Sequence, residues 1–180
     1  ADALYLFGST SKITFAGAGV AFVAMTENNL RSFKQQLVIS QIGPDKINQL
    51  RHVRLLRDRA GIERHMQGHA ALLKPRFDIV LKHLRESLGG LDIATWTEPR
   101  GGYFISFDTR PGLAQKVVEL AASAGVVLTP AGATYPYGKD PEDTNIRLAP
   151  SFPSLEEIDQ AMQVFVCCVK LATVQQRLAK

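Results

Sequence analysis

The 180 residues are 46% hydrophobic, 21% charged and 8% aromatic, enough apolar surface for one ordinary domain or one and a half small ones, which excludes wholesale disorder and fibrous repeats. The net charge of +4 is spread between Lys12 and Lys180, without the sharp basic patch that nucleic acid would require. Two adjacent cysteines, Cys167 and Cys168, offer no disulfide framework and favour the cytoplasm, and prolines break the longest uncharged stretch, so no membrane span is expected.

The chain opens on Ala1 with no basic-then-apolar leader, as an excised or processed piece would. Residues 3–7 form an apolar run suited to a buried strand, ended by Gly8 and the polar run 9–12. After Gly17 and Gly19, residues 20–25 read as a second interior strand, and Glu27 and Asn28 begin a helix or loop. Pro44 suits the first turn of a helix and Asp45 its positive end, with Ile47, Leu50, Val53 and Leu56 recurring every three residues. The basic stretch 51–64 interleaves Asp58 and Glu63 and reads as a solvated helix face. Gly61, Gly68 and Pro75 are expected to interrupt the helical region, with Pro75 opening another helix that carries Phe77, Val80, Leu81, Leu84 and Leu88 on one face. A domain change is placed there, dividing 1–74 from 75–180.

Residues 93–96 and 103–107 read as two strands joined by the turn-rich EPRGG. Pro111 opens a helix with Leu113, Val117, Leu120, Ala121 and Ala124 inward, and Gly125 stands where a left-handed cap belongs, before an expected strand at 126–129. A loop through Gly138 and Pro141 reaches a strand at 145–149, and Ser154 with Glu157 forms a capping box ahead of a last amphipathic helix. The second half is therefore α+β, without internal repeats.

The feature most suggestive of chemistry is GSTSK at 8–12, a hydroxyl-rich turn after a strand that delivers one lysine. From the residues alone Lys12 reads either as a surface amine or as a reactive one; reactivity requires a partly dry site and neighbouring donors, which Ser9 and Ser11 could supply. Arg147, in TNIRLAPSF, reads as a strand arginine in a surface ion pair or as a bidentate carboxylate receptor. Tyr135, with Tyr137 in ATYPYG, reads as an entrance residue or as packing. His65 and His69 are spaced i, i+4, but no carboxylate or cysteine completes a metal set, so no metal is expected. Cys167 and Cys168 lie in an apolar run and are expected to be core thiols.

GSTSK followed by ITFAGAGVAF resembles the lysine motif of the class I and II aminotransferases, fold type I enzymes that use pyridoxal 5′-phosphate. The resemblance makes Lys12 the Schiff-base lysine and Ser9 and Ser11 binders of the cofactor phosphate. In one departure, Gly19 stands near the place where the family usually has a phosphate-gripping arginine. TNIRLAPSF resembles the segment whose arginine, here Arg147, receives the substrate α-carboxylate. PRGGYFISFD and AGVVLTPAGATYPYG resemble a small-domain strand and the loop to the substrate entrance, with Tyr135 in that loop. IGPDKINQLRH resembles, more narrowly, an aspartate or alanine aminotransferase-like subgroup.

The implied fold class is α/β, the end of a mixed-sheet large domain plus an α+β small domain. Family members are roughly twice this length or more, so the resemblance implies the C-terminal portion of an aminotransferase, inactive alone. It also implies a homodimeric whole enzyme acting on an amino acid and a 2-oxo acid. Two alternatives stay open: an aminotransferase-like effector domain of a transcription regulator, and a lyase or decarboxylase on the same fold.

Overall fold

The computed structural model describes residues 2–179. The chain divides into two compact units, Ala1–His69 and Ala70–Lys180.

In the first unit, β1 (Tyr5–Ser9) pairs antiparallel with β2 (Ala21–Met25), Tyr5 opposite Met25 and Ser9 opposite Ala21. Helix α1 (Glu27–Ser40) follows, then α2 (Lys46–Leu56), whose N-cap Asp45 accepts the Asn48 N–H at 2.9 Å. Pro44 lies just before this cap. The two strands occupy the expected stretches but are not interior: Leu6 is 59% and Phe7 72% exposed. A two-stranded ribbon has no third strand to shield it, and both faces of this one are apolar, so burial needs a covering layer that the described residues do not supply.

Helix α3 (Arg59–Leu88) runs unbroken through Gly61, Gly68 and Pro75, against the expected interruptions. Pro75 removes only one N–H donor, and the same turn gains a bond when Arg76 Nη1 donates to the Leu72 carbonyl at 2.6 Å. Beyond the proline, Phe77, Val80, Leu81, Leu84 and Leu88 are buried, as their spacing requires.

The second unit is built on an antiparallel sheet of order β3-β4-β5, comprising Ala94–Trp96, Ile105–Thr109 and Asn145–Leu148. Ala94 faces Thr109 and Trp96 faces Phe107, so the second hairpin strand begins two residues later than the sequence suggests. One sheet face carries Ile105, Phe107, Ile146 and Leu148, all buried. They share a core with Val117 and Ala121 of α4 (Ala114–Ser123), the latter part of α3, and Phe165 and Val169 of α5 (Leu155–Leu178). Each large side chain removed from water there contributes about 1.5–3 kcal/mol.

The helix ends follow local chemistry. Pro111 precedes α4, whose first N–H groups are satisfied from outside: Ala114 N donates to the Asp143 carbonyl at 2.9 Å and Gln115 N to Asp143 Oδ1 at 3.0 Å. Gly125, at φ 86°, ends the helix with its N–H on the Ala122 carbonyl and the Val126 N–H on Ala121, the paired closure that a left-handed residue permits. Residues 126–129 join no strand ladder, contrary to expectation; Val127 is 90% exposed and Val126 and Leu128 lean on the core. The apolar run there is a half-buried segment with no strand paired to it. Ser154 and Glu157 close the capping box of α5 reciprocally, at 3.2 and 2.7 Å.

Candidate functional site

The lysine lies in the connection between β1 and β2. Thr10 N donates to the Val20 carbonyl at 2.9 Å, continuing the strand ladder, and the chain then turns so that Ile13 N and Thr14 N both bond the Thr10 carbonyl at 3.0 Å. Ser11 N donates to Ser9 Oγ at 3.0 Å, and the two serine hydroxyls bond one another. Ser9, Ser11 and Lys12 are all exposed. The structure thus brings the three together, while the partly dry surroundings expected for the lysine are not formed by the described residues.

Gly19 sits directly behind this turn. A Cβ there would meet Ser11 Cα, N and Oγ at 2.8–2.9 Å, so the position has no room for any side chain, an arginine least of all. The close approach of the Ser11 backbone takes the space that an arginine would need there. Two hydroxyls on the lysine turn are the kind of donors that suit a phosphorylated aldehyde.

Three histidines hold the turn in place. His52 Nε2 meets Thr10 Oγ1 at 3.0 Å and Thr14 Oγ1 at 2.8 Å, and its Nδ1 meets the Asn48 carbonyl at 2.8 Å. Asn48 in turn donates to the Ala18 carbonyl at 2.8 Å. From α3, His65 and His69 converge on the Ile13 carbonyl, His69 at 3.2 Å. Sequence reasoning weighed the histidines, His52 and His83 included, only as metal ligands and gave His52 no role at the turn; the signal was available in the four-residue spacing of Asn48 and His52 within IGPDKINQLRH, which puts both on one helix face.

In the second unit, the polar face of the sheet pairs Ser106 with Arg147 and Asp108 with Asn145. The Arg147 guanidinium lies 4.5 Å over the Phe104 ring, and its Nε is buried with no hydrogen-bond partner among the described residues. Among the described residues no carboxylate forms an ion pair with it, so the surface-pair reading does not describe this residue. A buried unsatisfied donor on a cation is costly and favours an anionic oxygen.

The loop ahead of β5 is fastened beside this face. Thr134 Oγ1 donates to Asn145 Oδ1 at 2.6 Å, and Asn145 Nδ2 bonds Ser106 Oγ and Asp108 Oδ1 at 2.9 and 2.8 Å. Asp140 accepts the N–H groups of Asn145, Thr144 and Glu142 at 2.8–3.1 Å. Burial pushes the Asp140 carboxyl up, but these N–H groups and the Thr144 hydroxyl together outweigh it and hold its pKa below the usual value. Tyr135 follows Thr134 on the exposed side, and the negative field of Asp140, then burial, then Asp108 and Glu142 raise its phenol pKa. Cys168 is buried, whereas Cys167 is exposed; the expectation that both are core fails because α5 packs by one face only.

The family model for the aspartate amino-transferases matches residues 1–180. An aspartate aminotransferase of Corynebacterium glutamicum is 47% identical over 171 residues, 95% of this chain and 40% of that protein. The crystal structure of an aspartate transaminase from the same species superposes with a TM-score of 0.92 at 47% identity, covering 96% of this chain and 41% of that one. At 20% identity, the fold is shared with an α-aminoadipate aminotransferase of Thermus thermophilus complexed with N-(5′-phosphopyridoxyl)-L-leucine; the TM-score is 0.74 over 95% of this chain and 43% of that one. The chain spans about 40% of the length of the curated relative it matches.

Proposed function

Because the chain belongs to the aspartate amino-transferase family, we propose that it is the C-terminal portion of a pyridoxal 5′-phosphate-dependent aminotransferase. The whole enzyme would move an amino group between an amino acid and a 2-oxo acid, as a cytoplasmic homodimer. Residues 1–74 would end its large domain and 75–180 form its small one. The observation that carries this reading is the lysine turn, in which Lys12 follows two paired serine hydroxyls on a backbone tied down from both α2 and α3.

When bound, pyridoxal 5′-phosphate supplies the electron sink for negative charge at the substrate's Cα. Ser9 and Ser11 would bind its phosphate, and Lys12 Nζ would hold its carbonyl carbon and, once displaced, move a proton at the substrate's Cα. Arg147 would receive the α-carboxylate in a bidentate grip, its plane steadied by Phe104. Tyr135, its phenol kept protonated by surrounding carboxylates, would serve as a hydrogen-bond donor at the entrance.

The test is to load the full-length protein with pyridoxal 5′-phosphate, reduce it with borohydride and map the modified lysine. A single adduct on Lys12, absent in Lys12→Ala, is the expected result, and labelling scattered over other lysines would remove Lys12 from the site. In the same preparation Arg147→Ala should raise KM for the amino donor by a factor corresponding to about 2–5 kcal/mol. An adduct on Lys12 with no turnover of any amino donor would instead favour the effector-binding reading.

A further inference from the structure

Among the described residues of the first unit, one side chain alone is buried, and it is polar: His52, at 6% exposure. The apolar residues around it in sequence, Leu50, Val53 and Leu55, are all exposed. Burial of an imidazole where leucines stay in solvent needs specific partners, and His52 has them at both ring nitrogens. We propose that His52 is a positioning residue for Lys12, acting as the acceptor that fixes the Thr10 hydroxyl, with Thr14 against the same nitrogen, and so holds the lysine turn in its working shape. The proposal rests on Lys12 being the cofactor lysine.

The chemistry follows from the tautomer. The Asn48 carbonyl, 2.8 Å from Nδ1, can only accept, so Nδ1 carries the proton and Nε2 of the neutral ring offers a lone pair. That lone pair faces Thr10 Oγ1 at 3.0 Å and Thr14 Oγ1 at 2.8 Å, residues that flank Lys12 by two on either side. The Thr14 hydroxyl donates to the Thr10 carbonyl at 3.0 Å, so the proton that Nε2 accepts is that of the Thr10 hydroxyl, whose oxygen also accepts the Val20 N–H at 2.8 Å. Through Thr10, one imidazole therefore ties the lysine turn and the residue ahead of β2 to the backbone of α2. The Phe15 ring stands edge-on to His52 at 5.3 Å, with the Arg51 guanidinium 4.4 Å from that ring, enclosing the imidazole further.

Amide substitutions separate the two nitrogens. His52→Gln places an oxygen near the site of Nε2 and can still accept from the Thr10 hydroxyl; His52→Asn reaches only the site of Nδ1 and keeps the helix bond without the loop bond. In the full-length, cofactor-loaded protein, His52→Asn is expected to lower kcat about 10- to 100-fold with KM nearly unchanged, the size of effect that misplacing a reacting group produces. His52→Gln should restore most of that loss. In the cofactor-free protein, the rate of reductive methylation at Lys12, read by peptide mass spectrometry, should change in His52→Asn and return towards wild type in His52→Gln, while circular dichroism shows both folded. Thr10→Val, which removes the donor to Nε2 and leaves the imidazole in place, should reproduce part of the His52→Asn effect if the bond is the cause.

Equal losses in the Asn and Gln variants, or normal kcat and Lys12 reactivity in His52→Asn with the adduct still on Lys12, would overturn the proposal and leave the function standing. An adduct that persists in Lys12→Ala would instead remove Lys12, and with it this role for His52.

Discussion

The two units are held together by different means. The second encloses Phe107, Phe165, Leu84 and Ile105 with under 2% exposure each, so its shape is set by apolar packing. Among its described residues the first buries only His52 and leaves Leu6, Phe7 and Phe22 in solvent, so its lysine turn is set by hydrogen bonds from helices α2 and α3. Packing is tolerant of detail but needs volume; a hydrogen-bonded turn needs few residues, each in one geometry. Stability and chemistry should therefore fail separately when each is attacked.

Three substitutions sharpen this contrast. The largest effect is expected from Leu84→Ala, which should destabilise the second unit by about 2–5 kcal/mol through a cavity. The single tryptophan, Trp96, stacks on Phe107 with ring centroids 6.4 Å apart, so urea unfolding followed by its fluorescence reports that unit; an unchanged midpoint would contradict the packing account. Gly19→Ala should cost less, about 1–3 kcal/mol of local strain, yet should do more to the chemistry, because the new methyl displaces Ser11 and with it Lys12. Borohydride labelling of Lys12 as efficient as in the wild type would show that the turn has slack the structure does not display.

The smallest effect is expected at Asp140. Its folded pKa lies below its usual value, so the stability it adds is present above the normal carboxylate range and fades as pH falls through the depressed value. Asp140→Asn should therefore cost about 1 kcal/mol near neutrality, and the gap from wild type should close on acidification. A gap that stays constant between neutral and acid pH would mean that the carboxylate charge is not what fastens the loop.

The sequence made the second unit legible because its signals are periodic and local. Ser154 with Glu157, Gly125 after α4, and the five-residue apolar face beyond Pro75 each depend on neighbours a few residues away. It misled where partners are distant. Nothing between Val126 and Thr129 announces the lack of a neighbouring strand, and the apolar run of β1 carries no mark of whether a layer covers it. Pro75 looked like a boundary because its local cost is visible in sequence, whereas the Arg76 bond and the core face that sustain the helix are not. The motifs pointed to Ser9, Ser11, Lys12 and Arg147 as candidates; they did not point to His52, since a histidine on a basic helix face looks like solvated charge until Thr10 and Thr14, some 40 residues away, are brought to it.

The β4–β5 pair carries one further consequence. Ile105, Phe107, Ile146 and Leu148 project from one side, and Ser106, Asp108, Asn145 and Arg147 occupy the alternate positions. Strand periodicity makes these two sets independent heritable units. Substitutions in the second set change the polar face while leaving the packed one as it is, and substitutions in the first do the reverse. Such a strand pair lets new preferences be sampled without re-solving the folding problem, and divergence among relatives should therefore appear as a two-residue rhythm along it.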